Sequence, residues 1–190
     1  MGELVYYVHV SVDGCVEGPN GEFDWPRMGP ELSAHSHELS DRAAVFAYGR
    51  RVWDMMAGFW PRAESISDDP HDVAFAPVWR KTPKVVFSRT LTDPGWDTEV
   101  LGGDLTDEVT ALKARHTKDI LLMGGADVPA QLSRLGLIDE YHVLVHPVVL
   151  GGDKRPFAVD AERLGLRLVE SRVIDGAVVL LRYRRATEER

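Results

Sequence analysis

The sequence has little of what marks secreted, membrane-spanning or nucleic-acid-binding proteins. A single cysteine, Cys15, excludes an intrachain disulfide and fits a reducing compartment. No run reaches the roughly 18 apolar residues of a membrane-spanning helix. The alternating N-terminal stretch MGELVYYVHV lacks the basic region of a signal peptide. The net charge of −8 disfavours a nucleic-acid-binding surface. We therefore expect a cytoplasmic protein that acts on small molecules.

Strand and helix patterns alternate along the chain. Its 190 residues, 44% of them hydrophobic, suit a single domain over residues 1–190. Asp175-Gly176 between two β-rich runs indicates a two-residue hairpin. The pattern predicts a three-layer α/β domain with a mostly parallel sheet and an antiparallel C-terminal hairpin. The predicted strands are residues 4–10, 43–48, 84–88, 98–101, 120–123, 141–150, 166–173 and 177–183. The predicted helices are residues 31–42, a helix that starts at residues 49–56, residues 71–81 (broken at Pro77), residues 104–116 and the segment after Gly125.

Three predicted strands end in residues that suit an anionic ligand. In a parallel sheet such ends lie along one edge, where free backbone N–H groups and helix dipoles favour negative charge. Arginine adds bidentate hydrogen bonds to phosphate. The alternatives are that the glycine pair is only a tight turn, and that the arginines pair with Asp54 or Glu64. The three junctions are Gly49-Arg50-Arg51, Ser88-Arg89-Thr90 and Gly124-Gly125-Ala126.

A long segment rich in turn residues, residues 11–30, follows the first strand. Loops of this length in a compact domain often act as lids over a binding site. Phe23 and Trp25 lie inside it. This aromatic pair either closes over a flat ligand or anchors the loop to the core.

Metal and thiol chemistry have little support in the sequence. His142 and His146 share a face of a predicted strand, but a site needs three or four ligands and no third is near. His35 and His37 do not share a helix face. Cys15 has no identifiable basic partner that would activate it as a nucleophile. We therefore expect no metal site.

Five motifs together resemble the dihydrofolate reductase fold family. They are SVDG with GPNGEFDW, AYGRRVW, VVFSRT, and the block LLMGGADVPAQLSRLGLIDEYHVLVHPVVLGG. The resemblance is to the branch that contains the reductase domain of bacterial riboflavin biosynthesis (the RibD C-terminal type) and its stand-alone relatives. It implies an eight-stranded mixed sheet flanked by helices, NADPH as cofactor, and a homodimer formed through edge strands such as residues 178–181.

The resemblance also implies roles for individual residues. Asp13 or Glu31 would supply or relay a proton. Ser11, Phe23 and Trp25 would contact the substrate, and relatives often have a cis peptide bond within the glycine pair. The implied cofactor-binding residues are Val10, Gly49, Arg50, Arg51, Val52, Ser88, Arg89, Met123, Gly124, Gly125, Ala126 and Asp127.

The sequence also departs from dihydrofolate reductases proper. Val52 replaces a usual threonine, Ala126 and Pro129 replace a glycine and a tyrosine, and Asp127 brings a negative charge close to the phosphates. We therefore expect an NADPH-dependent reductase of the 5-amino-6-(5-phosphoribosylamino)uracil reductase type, which transfers a hydride to a small heterocycle or ribosylamino-pyrimidine. The alternatives are a dihydrofolate or pterin reductase and a non-catalytic nucleotide-binding module.

Overall fold

The computed structural model describes residues 1–157 and 163–186. The sequence predicts a charged C-terminal tail over residues 184–190, and residues 187–190 of it lie outside the described residues. In this part of the chain, strands and helices alternate as the sequence predicts. The strands are β1 (Leu4–Ser11), β2 (Ala43–Gly49), β3 (Lys84–Phe87), β4 (Thr98–Leu101), β5 (Asp119–Met123), β6 (Glu140–His146), β7 (Leu166–Ile174) and β8 (Val178–Arg185). The helices are α1 (Pro30–Arg42), α2 (Arg50–Phe59), α3 (Ala63–Ile66), α4 (Pro70–Lys81), α5 (Leu105–Arg115), α6 (Asp127–Arg134) and a 3-10 helix (Trp60–Arg62).

The strands form one sheet in the order β4-β3-β2-β5-β1-β6-β8-β7. The first six in this order are mutually parallel, and β8 runs antiparallel to both β6 and β7. The predicted mostly parallel eight-stranded sheet with an antiparallel C-terminal hairpin is therefore confirmed. Because β3, β2 and β5 are adjacent and parallel, the three predicted anion-binding junctions lie side by side at one edge.

The central strand β1 is buried on both faces, which explains its nearly continuous apolar sequence. Alternate side chains such as Leu4 and Tyr6 belong to a core shared with α5 and α6. Val5 and Tyr7 point the other way, into a core shared with α1, α2 and α4. The sheet is thus covered by helices on both sides, as the three-layer prediction requires. No helix of the described residues is long and apolar enough to cross a membrane.

The C-terminal hairpin is joined to the start of α1 by reciprocal hydrogen bonds. Asp175 and Gly176 have φ values of 51° and 67°, the left-handed conformations that a tight hairpin turn requires. The Asp175 carboxylate accepts hydrogen bonds from the backbone N–H groups of Glu31 and Leu32, at 2.9 and 3.0 Å. The Glu31 carboxylate in turn accepts the N–H of Asp175 at 2.5 Å. A residue 144 positions away therefore caps α1.

The edge of the sheet differs from the sequence-based expectation. Residues 178–181 belong to β8, which lies between β6 and β7, and Val178 and Leu180 are buried. The edge strands are β4 and β7, and Leu168 and Val173 of β7 are exposed. The apolar run at 178–181 therefore lies in an inner strand, where Val178 and Leu180 belong to the core and Val179 is exposed. The strand predicted over residues 141–150 is too long, because β6 ends at His146, just before Pro147.

Helix α4 passes through Pro77 without a break, contrary to the prediction. Proline removes the backbone hydrogen bond to the residue four positions earlier, here Val73. Both Pro77 and Val73 are exposed, so water can satisfy the free carbonyl group. Phe75 and Trp79, on the opposite side of the helix, are buried in the core. The stabilisation from this packing outweighs the loss of one backbone hydrogen bond at Pro77.

Candidate functional site

A cavity of about 970 Å³ opens at the edge where the parallel strands end. Strands β1, β2 and β5 form its floor, and helices α1, α2, α4 and α6 and the loop over residues 12–29 form its walls. This is the edge at which parallel α/β sheets bind ligands. The long loop thus borders the cavity, and Phe23 contributes to the lining.

Two helices begin at one end of the cavity. The residue before α2 is Gly49 and the residue before α6 is Ala126, and neither helix has a side-chain cap. The first N–H groups of a helix have no partner within the helix, and the helix dipole places partial positive charge there. Two such ends facing one cavity form a suitable site for phosphate groups. We call this part of the cavity the glycine end (Gly49, Arg50, Arg51, Gly124 and Gly125).

The Gly124-Gly125 turn is shaped by its backbone. Both residues have positive φ values, 63° and 78°, which side-chain-bearing residues rarely adopt. A Cβ atom on Gly125 would lie 3.0 Å from Cγ2 of Val52. The Tyr6 hydroxyl donates to the Gly125 carbonyl at 2.6 Å, and Gly124 donates its N–H to the Tyr7 carbonyl at 2.8 Å. The peptide bond within the pair is trans, not cis as the resemblance implies.

The positively charged side chains at the glycine end are paired with carboxylates. The cations of these pairs are exposed, so water screens the pairs and a phosphate group can compete for each cation. The alternative of a surface pair is correct for Arg50, which contacts Asp54. The pairs are Arg50–Asp54 at 2.8 Å, Arg51–Glu17 at 3.0 Å and Lys154–Asp127 at 3.4 Å.

A second cavity of about 570 Å³ lies next to the first. Phe87 and Val128 line both, and Ser88 and Arg89 line only the second. The Ser88 oxygen accepts the N–H groups of Thr90 and Leu91 at 3.2 and 3.1 Å, which leaves its own proton free to donate. The predicted junction at Ser88 and Arg89 therefore lies in a cavity next to the one that contains the glycine end.

The structure brings most of the predicted cofactor-binding residues together at the two cavities. Some of the other predicted site residues do not line either cavity. Val10, Ser11 and Trp25 line neither cavity, whereas Phe23 lines the first. Ser88 and Arg89 line the second cavity. The predicted cofactor-binding residues that line the first cavity are Gly49, Arg50, Arg51, Val52, Met123, Gly124, Gly125, Ala126 and Asp127.

Neither predicted proton donor lines the cavity. The Asp13 carboxylate accepts the Ser11 hydroxyl at 2.6 Å and the N–H groups of Leu150 and Gly151 at 3.1 and 2.8 Å. These hydrogen bonds hold the pKa of Asp13 well below its usual range, so the group stays ionised. The Glu31 carboxylate is engaged with the hairpin at Asp175. Both acids therefore hold backbone in place.

His9 is a cavity residue that the sequence analysis did not identify. Its Nδ1 atom lies 2.8 Å from Nε2 of His146, whose ring packs edge-to-face on Trp25 with centroids 5.4 Å apart. Burial, together with the nearby His146 ring, lowers the pKa of His9 to about 3. One sequence signal could have identified it: His9 follows Tyr7 by two residues, so the two side chains lie on the same face of the predicted strand.

A chain of hydrogen bonds connects β6 with α1 and β7. His142 Nε2 donates to the Glu140 carboxylate at 2.7 Å, and its Nδ1 lies 3.0 Å from Nε2 of His35. His35 Nδ1 lies 3.5 Å from an Arg172 nitrogen. With one N–H on each ring, the chain runs in one direction, from Arg172 to Glu140. In the described residues no three potential ligands come together to hold a metal ion.

The other end of the cavity is aromatic. Ring centroids lie 5.0 Å apart for Phe59 and Trp60 and 4.7 Å apart for Trp60 and Phe75, both edge-to-face. The Tyr7 hydroxyl is buried and has no hydrogen-bond partner within the described chain. We call this part the aromatic end (Met28, Met56, Phe59, Trp60 and Phe75). Its polar lining residues are Tyr7, Ser36, His71 and Asp72.

Comparisons with known proteins agree with this architecture. The chain is 32% identical over 183 residues to the uncharacterized protein YyaP of Bacillus subtilis (strain 168), covering 95% of this chain and 93% of YyaP. A Shewanella sp. PV-4 protein provisionally assigned to riboflavin biosynthesis has a TM-score of 0.77 at 22% identity, with 98% and 100% of the two chains covered.

Dihydrofolate reductase from Enterococcus faecalis, solved in complex with NADP(H) and RAB-propyl, has a TM-score of 0.65 at 14% identity, with 98% of each chain covered. At these identities the two solved structures establish the shared fold. The model of the RibD C-terminal domain matches residues 3–180. This match spans nearly the whole chain, and the protein therefore belongs to the RibD C-terminal domain family.

Proposed function

We propose that the protein is an NADPH-dependent reductase that transfers a hydride to a small heterocycle, in the manner of riboflavin-pathway reductases. The observation that carries the proposal is the single cavity that joins two uncapped helix N-termini to an aromatic end. The dihydrofolate reductase of the same fold was solved with NADP(H). The alternative of a pterin substrate is compatible with the same cavity.

The glycine end fits a dinucleotide with phosphate groups. Gly125 lies close to Val52 and Gly49 lies close to Val128, so a Cβ atom at either glycine would force these side chains to shift. The two glycines thus let a ligand approach the backbone N–H groups closely. Arg50 and Arg51 would hold the pyrophosphate, and Ser88 and Arg89 would hold the 2′-phosphate in the second cavity. Asp127 faces Lys154, which limits its repulsion of phosphate.

The protein's part in the reaction is to bind, to orient and to exclude water. When bound, NADPH supplies a hydride from its nicotinamide ring. The loop over residues 12–29, with Phe23 in the lining, would shield the substrate from solvent. Because Asp13 and Glu31 do not line the cavity, His9 is the group that we assign to proton relay. Its hydrogen bond to His146 allows a proton to be exchanged behind it.

The cofactor assignment predicts different effects for two arginines. Arg51→Ala should weaken binding of both NADPH and NADH about tenfold, because a charge-assisted hydrogen bond to the shared pyrophosphate is lost. Arg89→Ala should weaken NADPH binding about tenfold and leave NADH binding unchanged, because only NADPH has a 2′-phosphate. Nicotinamide fluorescence titration and thermal melting with each cofactor measure both effects.

Arg62→Ala is a suitable control, because Arg62 is exposed and contacts the Gly58 carbonyl outside the cavity lining. Failure of the unmodified protein to bind either cofactor at millimolar concentration would contradict the proposal. NADPH binding without oxidation against pyrimidine and pterin substrates would instead favour a non-catalytic nucleotide-binding module.

The relay assignment predicts that His9→Gln lowers kcat about 100-fold and leaves the NADPH dissociation constant unchanged. Glutamine keeps one hydrogen-bonding group but cannot exchange a proton between two nitrogens. The measurement is the rate of NADPH oxidation at pH 7, where the low pKa of His9 keeps its ring neutral. His116→Gln is the control, because His116 directly follows α5 and does not line the cavity. Full activity of His9→Gln would show that another group relays the proton.

Homodimerisation and a cytoplasmic location stay predictions. If a dimer forms through the sheet, the edge strands β4 and β7 are available to pair, whereas β8 is enclosed between β6 and β7.

A further inference from the structure

Helix α2 runs along the cavity from one end to the other. Arg51 is in its first turn and Phe59 is its last residue, and both line the cavity. At 1.5 Å per residue, the two positions are roughly 12 Å apart along the helix axis. A ligand group at the aromatic end therefore lies well away from the cations of the first turn.

The walls of the aromatic end suit a flat ring. Phe59, Trp60 and Phe75 present aromatic surfaces in edge-to-face pairs, and the side chains of Met28 and Met56 fill the remaining sides. The Trp60 N–H is already satisfied by the sulfur of Met56, at 2.9 Å. Aromatic and thioether side chains bind planar, uncharged ligands by area and dispersion.

The polar groups at this end are neutral or negative. The Tyr7 hydroxyl is buried and makes no hydrogen bond of standard geometry, although the Ser36 hydroxyl in the same lining is close enough to act on its pKa, which burial raises. His71 is hydrogen-bonded to the Ser33 hydroxyl at 2.9 Å, and burial lowers its pKa. Asp72 accepts the Ser67 hydroxyl at 2.6 Å, which leaves further acceptor positions on its carboxylate.

A phosphate group here would face a carboxylate. Among the lining residues that the structure describes, the lysine and arginines are Arg50, Arg51 and Lys154. The two arginines lie in the first turn of α2, and Lys154 is paired with Asp127 in the first turn of α6. Like charges without compensation disfavour binding, whereas a ring amino group can donate to the same carboxylate.

We infer that the aromatic end binds a planar, uncharged amino-heterocycle without a phosphate group, with its amino edge on Asp72 and a ring acceptor on the Tyr7 hydroxyl. This inference rests on the proposed reductase function and narrows it. The phosphorylated ribosylamino-pyrimidine expected from the riboflavin-pathway resemblance would then be the poorer ligand of this protein.

The test is a ligand series that differs only in its substituent: 5,6-diaminouracil, 5-amino-6-ribosylaminouracil and the 5′-phosphate of the latter. Binding is measured by calorimetry and thermal melting, with and without saturating NADPH, and turnover by absorbance at 340 nm. We expect the two uncharged compounds to bind at least tenfold more tightly than the phosphate. Equal or tighter binding of the phosphate would overturn the inference, as would no binding of either uncharged compound.

Asp72→Asn separates charge from shape. The variant should bind 5,6-diaminouracil more weakly and the 5′-phosphate compound more tightly. The ratio of the two dissociation constants should change at least tenfold. Asp68→Asn is the matched control, because Asp68 is exposed on the segment before α4 and does not line the cavity. An unchanged ratio in Asp72→Asn would contradict the assignment of Asp72.

Arg27 provides the strongest rival explanation. It is exposed in the loop between two lining residues, Pro26 and Met28, although it does not line the cavity itself. If the phosphate binds best and Arg27→Ala removes that preference, the loop supplies a phosphate site and the inference is wrong. The measurements without NADPH test the aromatic end even if the protein binds no cofactor, so the two failures are distinguishable.

Discussion

Replacing Glu140 with alanine is expected to lower the free energy of unfolding by about 3–5 kcal/mol, the usual cost of removing one partner from a buried ionic cluster. The Glu140 side chain is 0% exposed and sits at the start of β6. It accepts hydrogen bonds from Arg182 at 2.9 Å, Arg184 at 3.0 Å and His142 at 2.7 Å. Burial acts to raise the pKa of Glu140, but the hydrogen bonds from His142 and Arg182 outweigh it and hold that pKa well below its usual range.

Alanine would leave these donors without their acceptor in a buried place. Arg184 would retain Glu3, but His142 would lose the group that orients its ring toward His35. Thermal melting should show a decrease of roughly 6–20 °C for a chain of this length. Glu140→Gln keeps the shape and should cost less than alanine.

Glu64→Ala is the matched control for this variant. Glu64 also pairs with an arginine, Arg80, at 2.6 Å, but both side chains are partly exposed. Water screens such a pair, so it contributes little to stability. If Glu140→Ala cost no more than Glu64→Ala, the buried cluster would not be a source of stability.

The second large effect is a loss of stability between pH 6.5 and pH 4. Burial lowers the pKa of both His35 and His146 to about 4, from an ordinary value of 6.5. Below pH 6.5 the unfolded chain binds protons that the folded protein excludes, so unfolding becomes easier as the pH falls. Each of these two buried rings should cost roughly 2 kcal/mol between pH 7 and pH 4.5. Above pH 6.5 their effect is absent.

Urea unfolding at half-unit steps from pH 4.5 to pH 7.5 measures this slope. His146→Gln should make it shallower without abolishing it, because His9, His35 and His71, whose pKa values burial also lowers, still bind protons on unfolding. Below about pH 4.5, Asp13 and Glu140 add a second loss, since their pKa values are held below the ordinary values and protonation breaks their hydrogen bonds. Equal stability at pH 5 and pH 7 would exclude the histidine contribution.

The sequence was most informative where the physical cause is local. The Asp175-Gly176 turn needs positive φ at two consecutive residues, and these residue types adopt it readily. The Asp104 cap of α5 is equally local, since its carboxylate accepts the N–H groups of Thr106 and Asp107. The junctions at Gly49, Ser88 and Gly124 came together because parallel strands must end at one edge.

Predictions were weaker where the cause is a distant residue. The sequence analysis gave Asp13 a role in proton transfer. It could not show that the Asp13 carboxylate is occupied by the N–H groups of Leu150 and Gly151, because these residues lie 137 and 138 positions away. Glu31 is engaged by Asp175 across 144 positions. The pairing of β8 with β6 cannot be read from either strand alone, so residues 178–181 resembled an exposed edge. His9 becomes a cavity residue only once β1 is placed at the centre of the sheet.

The central place of β1 has a consequence for biosynthesis. Leu4 pairs with Ile120 and Val5 with Glu140, so β1 can pair only with strands synthesised much later. At roughly 5–20 residues per second, a ribosome needs roughly 6–23 s to make the segment between Leu4 and Ile120. Throughout this time the nascent chain carries an unpaired strand that is apolar on both faces. N-terminal fragments ending before β5 should therefore remain unfolded and bind chaperones, and folding should begin only as the last third of the chain emerges.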